Sequence, residues 1–296
     1  MKRILITGAA GFIGRHLTGS LGKNKNISLK AFDKNIGLVH IFPDIKTIIG
    51  DIRDQEKLRE VFIEEAPEII IHLAAVIKSP HKEDYIKINV HGTENLVNLA
   101  ENFGVKKFIF LSTDYVLYNL HDLYGESKRR CEEIIQSSSL NFTIFRPTPV
   151  LGPGDTKNFA TLISIIKKYP IIPAIKCRME PVYVGDVVKM IVASLENSCP
   201  PRRAYNLPGG SICEFPEIVG IISNLLGLKR AIVTLPEKIF MPALKIYESL
   251  APNPLLSVDQ VQKWTKNNPL NASLAKKDLN YNPISFEEGI RLALKE

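Results

Sequence analysis

The chain has 296 residues, 45% of them hydrophobic and 23% charged, which is the composition of a globular protein with a sizeable core rather than a disordered or fibrous one. Its 38 Lys and Arg against 31 Asp and Glu leave a net charge of +7. The basic residues are interspersed with acidic ones, as in Lys57, Arg59 and Glu60, so no block marks a nucleic-acid surface, and a mildly basic surface suits a phosphate-bearing small molecule equally well. No apolar run approaches the roughly 20 residues that span a bilayer, and the first 22 positions hold a glycine cluster where a signal peptide would need its apolar core. A cytoplasmic location is expected. Cys131, Cys177, Cys199 and Cys213 are too widely spaced for a metal pair and too few for a disulfide framework, and they read as reduced thiols.

Along the chain, strand-like runs rich in β-branched residues fall at 3–7, 28–32, 47–49, 68–72, 107–112 and 141–146. Amphipathic stretches lie between most of them, at 54–64 and 84–103 among others, and fit helices. Repeated βα units imply a parallel sheet covered by helices on both faces, and ligands of such sheets bind at the carboxyl ends of the strands. Beyond Pro147 proline becomes frequent and the alternation weakens, which marks the start of a smaller lobe. The stretch 181–195 reads as a strand and helix that return to the main sheet, with 204–207 as a further strand. The expected division is therefore discontinuous: 1–148 with 181–210 as the sheet-bearing part, and 149–180 with 211–296 as the smaller lobe. Near the chain's end, Ser285 with Glu288 three residues on forms a capping-box pattern for a last helix.

The glycines at the end of the first strand carry the first chemical signal. Gly8, Gly11 and Gly14 have distinct uses: a tight turn, close backbone approach to a pyrophosphate, and packing of helix on strand. The phosphates then meet a helix N-terminus, with Ala10, Phe12 and Ile13 beside them. Asp33 ends the second strand, where a carboxylate bonds ribose hydroxyls and repels a 2′-phosphate. NAD is the expected cofactor, although Arg15 and Lys34 could favour NADP. Asp51, with Ile52, is placed to reach the adenine edge, or else to cap the next helix.

These residues, in order, resemble a known family. TGAAGFIG from Thr7 to Gly14, HLAA from His72 to Ala75 and YGESK from Tyr124 to Lys128 are similar to signatures of the extended short-chain dehydrogenase/reductases, the NAD-dependent epimerase/dehydratase group. Further matches are NVHGT from Asn89, Arg146-Pro147, GPG from Gly152, VYVGD from Val182 and YNL from Tyr205. The resemblance implies a doubly wound parallel sheet of the Rossmann kind with a smaller, discontinuous C-terminal lobe. It also implies dinucleotide contacts from Leu73, Ala74, Ala75, Asn89, Arg146 and Pro147 as well as from the glycine loop, and hydride transfer at a sugar carbon, as in epimerases, dehydratases and ketoreductases of nucleotide sugars. Dimerisation through the helices at 84–103 and around Tyr124 is a further implication.

Tyr124 and Lys128 are one turn apart on a helix and share a face. A nearby ammonium favours a phenolate, so Lys128 is expected to lower the Tyr124 pKa and make it a usable acid or base. Thr113 ends the preceding strand, and by resemblance its hydroxyl bonds the reacting oxygen, Ser112 being the alternative. Either hydroxyl could instead cap the next turn. His72, His91 and His121 lie on separate elements and read as structural or surface histidines.

The pattern departs from the family between Thr113 and Tyr124, where members acting on nucleotide sugars have a longer segment. Asn158 and Arg178 are candidate substrate contacts. The stretches RMEPVYVGD from Arg178 and LLSVDQV from Leu255 are similar to atypical members related to the NAD(P)H-binding accessory subunit of respiratory complex I, so a non-catalytic binding or assembly role is the competing expectation.

Overall fold

The computed structural model describes residues 1–35, 37, 41–118, 122–157, 159–196, 198–251, 258, 261–262 and 269–295. They form two compact units. The first comprises Met1–Pro147, Val187–Asn206 and Ser273–Tyr281, the second Thr148–Asp186, Leu207–Ala272 and Asn282–Glu296. The returning segment thus joins the first unit at Val187 rather than at 181, and residues 273–281, expected in the lobe, group with the sheet. A part-buried hydrogen bond ties the latter to the sheet: the Tyr205 hydroxyl donates to Asp278 Oδ2 at 3.0 Å.

The first unit is built on six strands that pair in parallel: β1 (Lys2–Thr7), β2 (Ile27–Asp33), β3 (Lys46–Ile49), β4 (Ile69–His72), β5 (Lys107–Leu111) and β6 (Phe142–Pro147). The spatial order is β6-β5-β4-β1-β2-β3, and the strand Arg203–Leu207 extends the sheet beside β6. Order reverses between β1 and β4, which opens a crevice at the carboxyl ends of those two strands. Both are buried on two faces, β4 completely, so they read as unbroken apolar runs rather than as alternating ones.

Four helices position the chemistry. The first, α1 (Phe12–Leu21), follows β1. In α2 (Gln55–Glu65) Asp54 caps the N-terminus, accepting from Lys57 N at 3.0 Å. The expected helix over 84–103 begins instead as a π-helical turn, Tyr85–Val90, and continues as α3 (His91–Asn102). At the join the Asn89 carbonyl accepts from the Thr93 hydroxyl and the Cys131 thiol, side-chain donors that satisfy it where the helical ladder widens. In α4 (Leu123–Ser137), Asp122 caps the first turn through the N–H groups of Tyr124 and Gly125. Phe62, Leu96, Phe108, Phe110 and Ile135 fill the core beneath these helices.

The second unit has three two-stranded pairings: Val150–Leu151 with Val182–Tyr183, Ile171–Ala174 with Ala231–Thr234, and Arg178–Met179 with Cys213–Glu214. Its core gathers Phe159, Ile172, Phe215, Ile218, Phe240 and Phe286. Ser285 caps the Phe286–Ala293 helix as expected, accepting from Glu288 N at 3.2 Å. No helix among the described residues is long and apolar enough to cross a membrane.

Candidate functional site

At the end of β1 the chain turns through Gly8, whose φ of +75° is in the left-handed region. A Cβ there would stand 2.4 Å from Ala74 N, so the turn is pressed against the residues that follow β4. Gly14 meets the same turn from α1, where a Cβ would lie 2.2 Å from Gly8 O. Gly11 is the N-cap of α1 and supplies no side chain, so among the described residues no cap side chain accepts from the first-turn N–H groups of that helix. Asp33 closes the loop from the side, with Oδ2 accepting from Ala10 N at 2.9 Å and Oδ1 from Asn35 N at 2.9 Å. Bare helix N–H groups, a glycine cradle that a Cβ would fill and a carboxylate at the end of β2 fit the pyrophosphate and ribose of a dinucleotide.

A buried polar chain runs from this loop towards α4. His72, at the end of β4, is wholly buried, with Nδ1 at 2.7 Å from the Thr7 hydroxyl and Nε2 at 3.0 Å from the Thr93 hydroxyl. Because the Thr93 hydroxyl donates to Asn89 O at 2.6 Å, Nε2 carries the imidazole proton and Thr7 donates to Nδ1. Burial, and then the Lys128 charge, hold this histidine well below its ordinary pKa, so it is neutral and satisfied. Asn89 binds both backbone groups of Val76, at 2.8 and 3.0 Å, and donates to Ser127 Oγ, which in turn donates to Tyr124 O. The residues after β4 are thereby tied to the first turn of α4. Ser127 and Asp122 were missed as positioning residues in the sequence, although Asp122 stands two residues before Tyr124 with the spacing of an N-cap.

The electrostatics of Tyr124 differ from expectation. Burial, with Asp122, Asp114 and the Cys131 thiol adding to it, pushes the phenol above its ordinary pKa rather than below it. The Lys128 ammonium lies over the Phe110 ring at 3.9 Å to the centroid. Burial pushes that ammonium down to about 8. Tyr115, itself raised by burial and by Asp114, meets Tyr124 edge-on at 6.4 Å between centroids. Thr113 caps the short 3₁₀ turn Asp114–Leu117, accepting from Tyr115 N at 3.4 Å, and its hydroxyl donates to Asp114 Oδ1 at 3.2 Å. Ser112 Oγ is buried with no hydrogen-bond partner among the described residues.

Other expected residues are engaged elsewhere. Asp51 does not cap α2; it holds Arg53 at 2.7 Å, and Arg53 keeps its carboxyl below the usual range. Ile52 is buried, and its carbonyl accepts from Asn95 Nδ2. The Arg146 guanidinium grips the buried Glu132 of α4 through Nε and NH2, at 2.9 and 2.5 Å, which leaves its fork directed at α4. Arg178 belongs to the second unit, where it is exposed and faces Glu214 at 3.4 Å. Asn158, His121 and most of 255–261 lie outside the described residues. All four cysteines are buried free thiols. Among the described residues no three His, Cys, Asp or Glu side chains gather to hold a metal ion.

The profile of the NAD dependent epimerase/dehydratase family matches residues 4–207. The chain belongs to that family. Among its curated relatives, the chain is 29% identical to N-acetyl-alpha-D-glucosaminyl-diphospho-ditrans,octacis-undecaprenol 4-epimerase of Escherichia coli O157:H7, over 79% of this chain and 75% of the relative. It is 30% identical to dTDP-D-glucose 4,6-dehydratase of Dictyostelium discoideum, over 64% and 54%. A third relative, the sterol-4-alpha-carboxylate 3-dehydrogenase erg26 of Schizosaccharomyces pombe, is 28% identical over 56% of this chain and 55% of its own length, so the chain spans about half of these last two proteins. Of solved structures, the Bordetella bronchiseptica enzyme WbmG in complex with NAD superposes with a TM-score of 0.81 at 19% identity, covering 99% of this chain and 93% of that one. UDP-glucose 4-epimerase from Thermotoga maritima, with UDP-glucose, gives 0.79 at 22%, covering 99% and 97%. At those identities the likeness establishes the shared Rossmann fold. Membership of this family, with relatives named as enzymes, supports an NAD-dependent oxidoreductase or epimerase of the extended short-chain type over the non-catalytic alternative.

Proposed function

We propose that this chain acts by hydride transfer at a sugar carbon, with a nucleotide-diphosphate sugar as substrate and NAD as cofactor. The observation that carries the reading is the bare N-terminus of α1 behind the Gly8 turn, tied through Asn89 and Ser127 to the turn that bears Tyr124. When bound, NAD supplies the site that accepts or returns the hydride. Gly8, Ala10, Gly11, Phe12 and Ile13 hold the pyrophosphate, Asp33 the adenosine ribose, Asp51 and Ile52 the adenine edge. Leu73, Ala74, Ala75, Asn89 and the backbone of Arg146 and Pro147 border the nicotinamide half, and Lys128 donates to its ribose. Thr113 orients the substrate oxygen.

The raised pKa of Tyr124 specifies its resting form. At neutral pH the phenol keeps its proton, so it serves as the general acid that delivers a proton to a substrate oxygen during reduction. Microscopic reversal makes it the base in oxidation. The same residues serve reduction and epimerisation.

The test is to purify the full chain, identify retained dinucleotide by mass spectrometry, and assay nucleotide sugars and 4-keto sugars with the native chain and Tyr124→Phe. We expect Tyr124→Phe to keep dinucleotide affinity and to lose at least about a hundredfold in turnover. Turnover retained by Tyr124→Phe, or a native chain that holds no dinucleotide, overturns the reading. We further propose that the chain is cytoplasmic and forms a homodimer through α3 and α4, whose outward positions include Glu94, Asn98, Glu133 and Gln136. Light scattering of the full chain tests the dimer, and a monomer at all concentrations rules it out.

A further inference from the structure

The Glu237–Leu250 helix of the second unit is apolar on two sides. Phe240 and Leu244 point into the core of the unit and are buried. On the other side Ile239, Ala243, Ile246 and Leu250 recur at helical spacing and stand in solvent, with Ile246 61% and Leu250 77% exposed. A helix on a protein surface ordinarily turns polar residues outward, and a run of exposed large aliphatics marks a binding surface.

The charges around this stripe are sorted. Lys238 and Lys245, seven residues apart, fall together along one border of the stripe, at 100° per residue about 80° and 100° from Ile246 respectively. Tyr247 lies along the other border. The two acidic residues of the helix, Glu237 and Glu248, fall on the inward half, and Glu248 accepts a hydrogen bond from Val258 N at 3.0 Å. Thus no carboxylate interrupts the outward arc. The strand that leads into the helix repeats the pattern: in the Ile171–Ala174 and Ala231–Thr234 pair, Ile171 and Val233 are exposed while Ile172 and Ala174 are buried. Lys167 and Lys168 precede Ile171, and Lys229 and Arg230 precede Ala231 at the same end of this parallel pair, where Arg230 donates to the carbonyls of Ile166 and Lys167.

We propose that the outward face of the Glu237–Leu250 helix docks on the surface of a bilayer that carries anionic lipid headgroups. A single convex aliphatic stripe with lysines along its edge has the chemistry of a helix lying in the interface: the aliphatics enter the acyl boundary, and the lysine stems lie along it with their ammonium groups at the phosphates. The helix is too short to span and lies flat. This inference is independent of the catalytic reading, because none of these side chains belongs to the dinucleotide site.

The test is flotation of the full-length protein with vesicles of phosphatidylcholine alone and of phosphatidylcholine with phosphatidylglycerol. The native chain is expected to float with the anionic vesicles, and less so as salt is raised. Ile246→Glu with Leu250→Glu should reduce binding at least about tenfold. Lys238→Gln with Lys245→Gln should remove most of the preference for phosphatidylglycerol, at about fivefold per lysine. Because these positions are exposed, thermal unfolding of each variant should match the native chain, and Ile246→Ser serves as a milder replacement if the glutamates disturb folding. A native chain that floats with neither vesicle overturns the proposal, as does binding that the glutamates leave unchanged. Vesicle-independent self-association that Ile246→Glu abolishes in light scattering overturns it too, since a second copy would then cover the stripe.

Discussion

Asp33 Oδ2 accepts a hydrogen bond from the backbone N–H of Ala10 at 2.9 Å, so the carboxylate that ends β2 also shapes the glycine loop after β1. One side chain therefore sets both the loop's form and its charge. Asp33→Ser should weaken NAD binding and raise the relative affinity for NADP, since the carboxylate that repels a 2′-phosphate is gone. Titrating both dinucleotides by calorimetry checks this. An unchanged ratio would separate Asp33 from cofactor choice.

The three glycines of the loop should not be equivalent. Gly8→Ala places a Cβ 2.4 Å from backbone at a φ of +75° and is expected to destabilise the fold by at least about 2 kcal/mol in urea unfolding. At Gly11 the nearest atom to an added Cβ is Gly8 O at 3.1 Å, and φ is negative. Gly11→Ala should fold within about 1 kcal/mol of the native chain and still lose dinucleotide affinity, because the methyl fills the cradle.

Lys128 should carry a stability cost that depends on pH. Its folded pKa of about 8 lies below the 10.5 of an unfolded lysine, so between those values the unfolded chain binds more protons. Stability should rise as pH climbs from 8 to 10.5, and below 8 the full cost is present. Lys128→Met should remove that slope and stabilise the protein at pH 7 by up to about 3 kcal/mol while abolishing turnover. Denaturant melts across this range read the slope directly.

Arg146 and Glu132 supply a contrasting case. Glu132 is 4% exposed at its side chain and Arg146 18%, so the pair is largely withdrawn from water and removing one partner leaves the other poorly compensated. Glu132→Ala should cost about 3–5 kcal/mol in thermal or chemical unfolding. Dinucleotide affinity per folded molecule should change little, since Arg146 faces α4 through its guanidinium.

The parts of this molecule that follow from short-range pattern were legible. Six apolar runs became the six parallel strands within a few residues, Ser285 caps the last helix, and the glycine spacing marked the turn after β1. What escaped depends on partners distant in sequence. The π-helical turn before α3 draws one of the two donors to Asn89 O from Cys131, 42 residues away. The clasp of Arg146 on Glu132 joins a strand to a helix that its own spacing could not indicate. The i to i+4 relation of Tyr124 and Lys128 correctly placed both on α4, yet the direction of the phenol's shift turned on its burial, with Asp122 and Asp114 adding to it, none of which is a property of the YGESK string.

The hydrogen bond from Tyr205 to Asp278 has a consequence for biosynthesis. The sheet-bearing unit is complete only when residues 273–281 reach it, after residues 207–272 have been made for the other unit. On the ribosome, therefore, the sheet-bearing unit cannot finish folding first, as a simple bead on a string would. Nascent chains stalled before Ser273 should present that half with an unfilled seam.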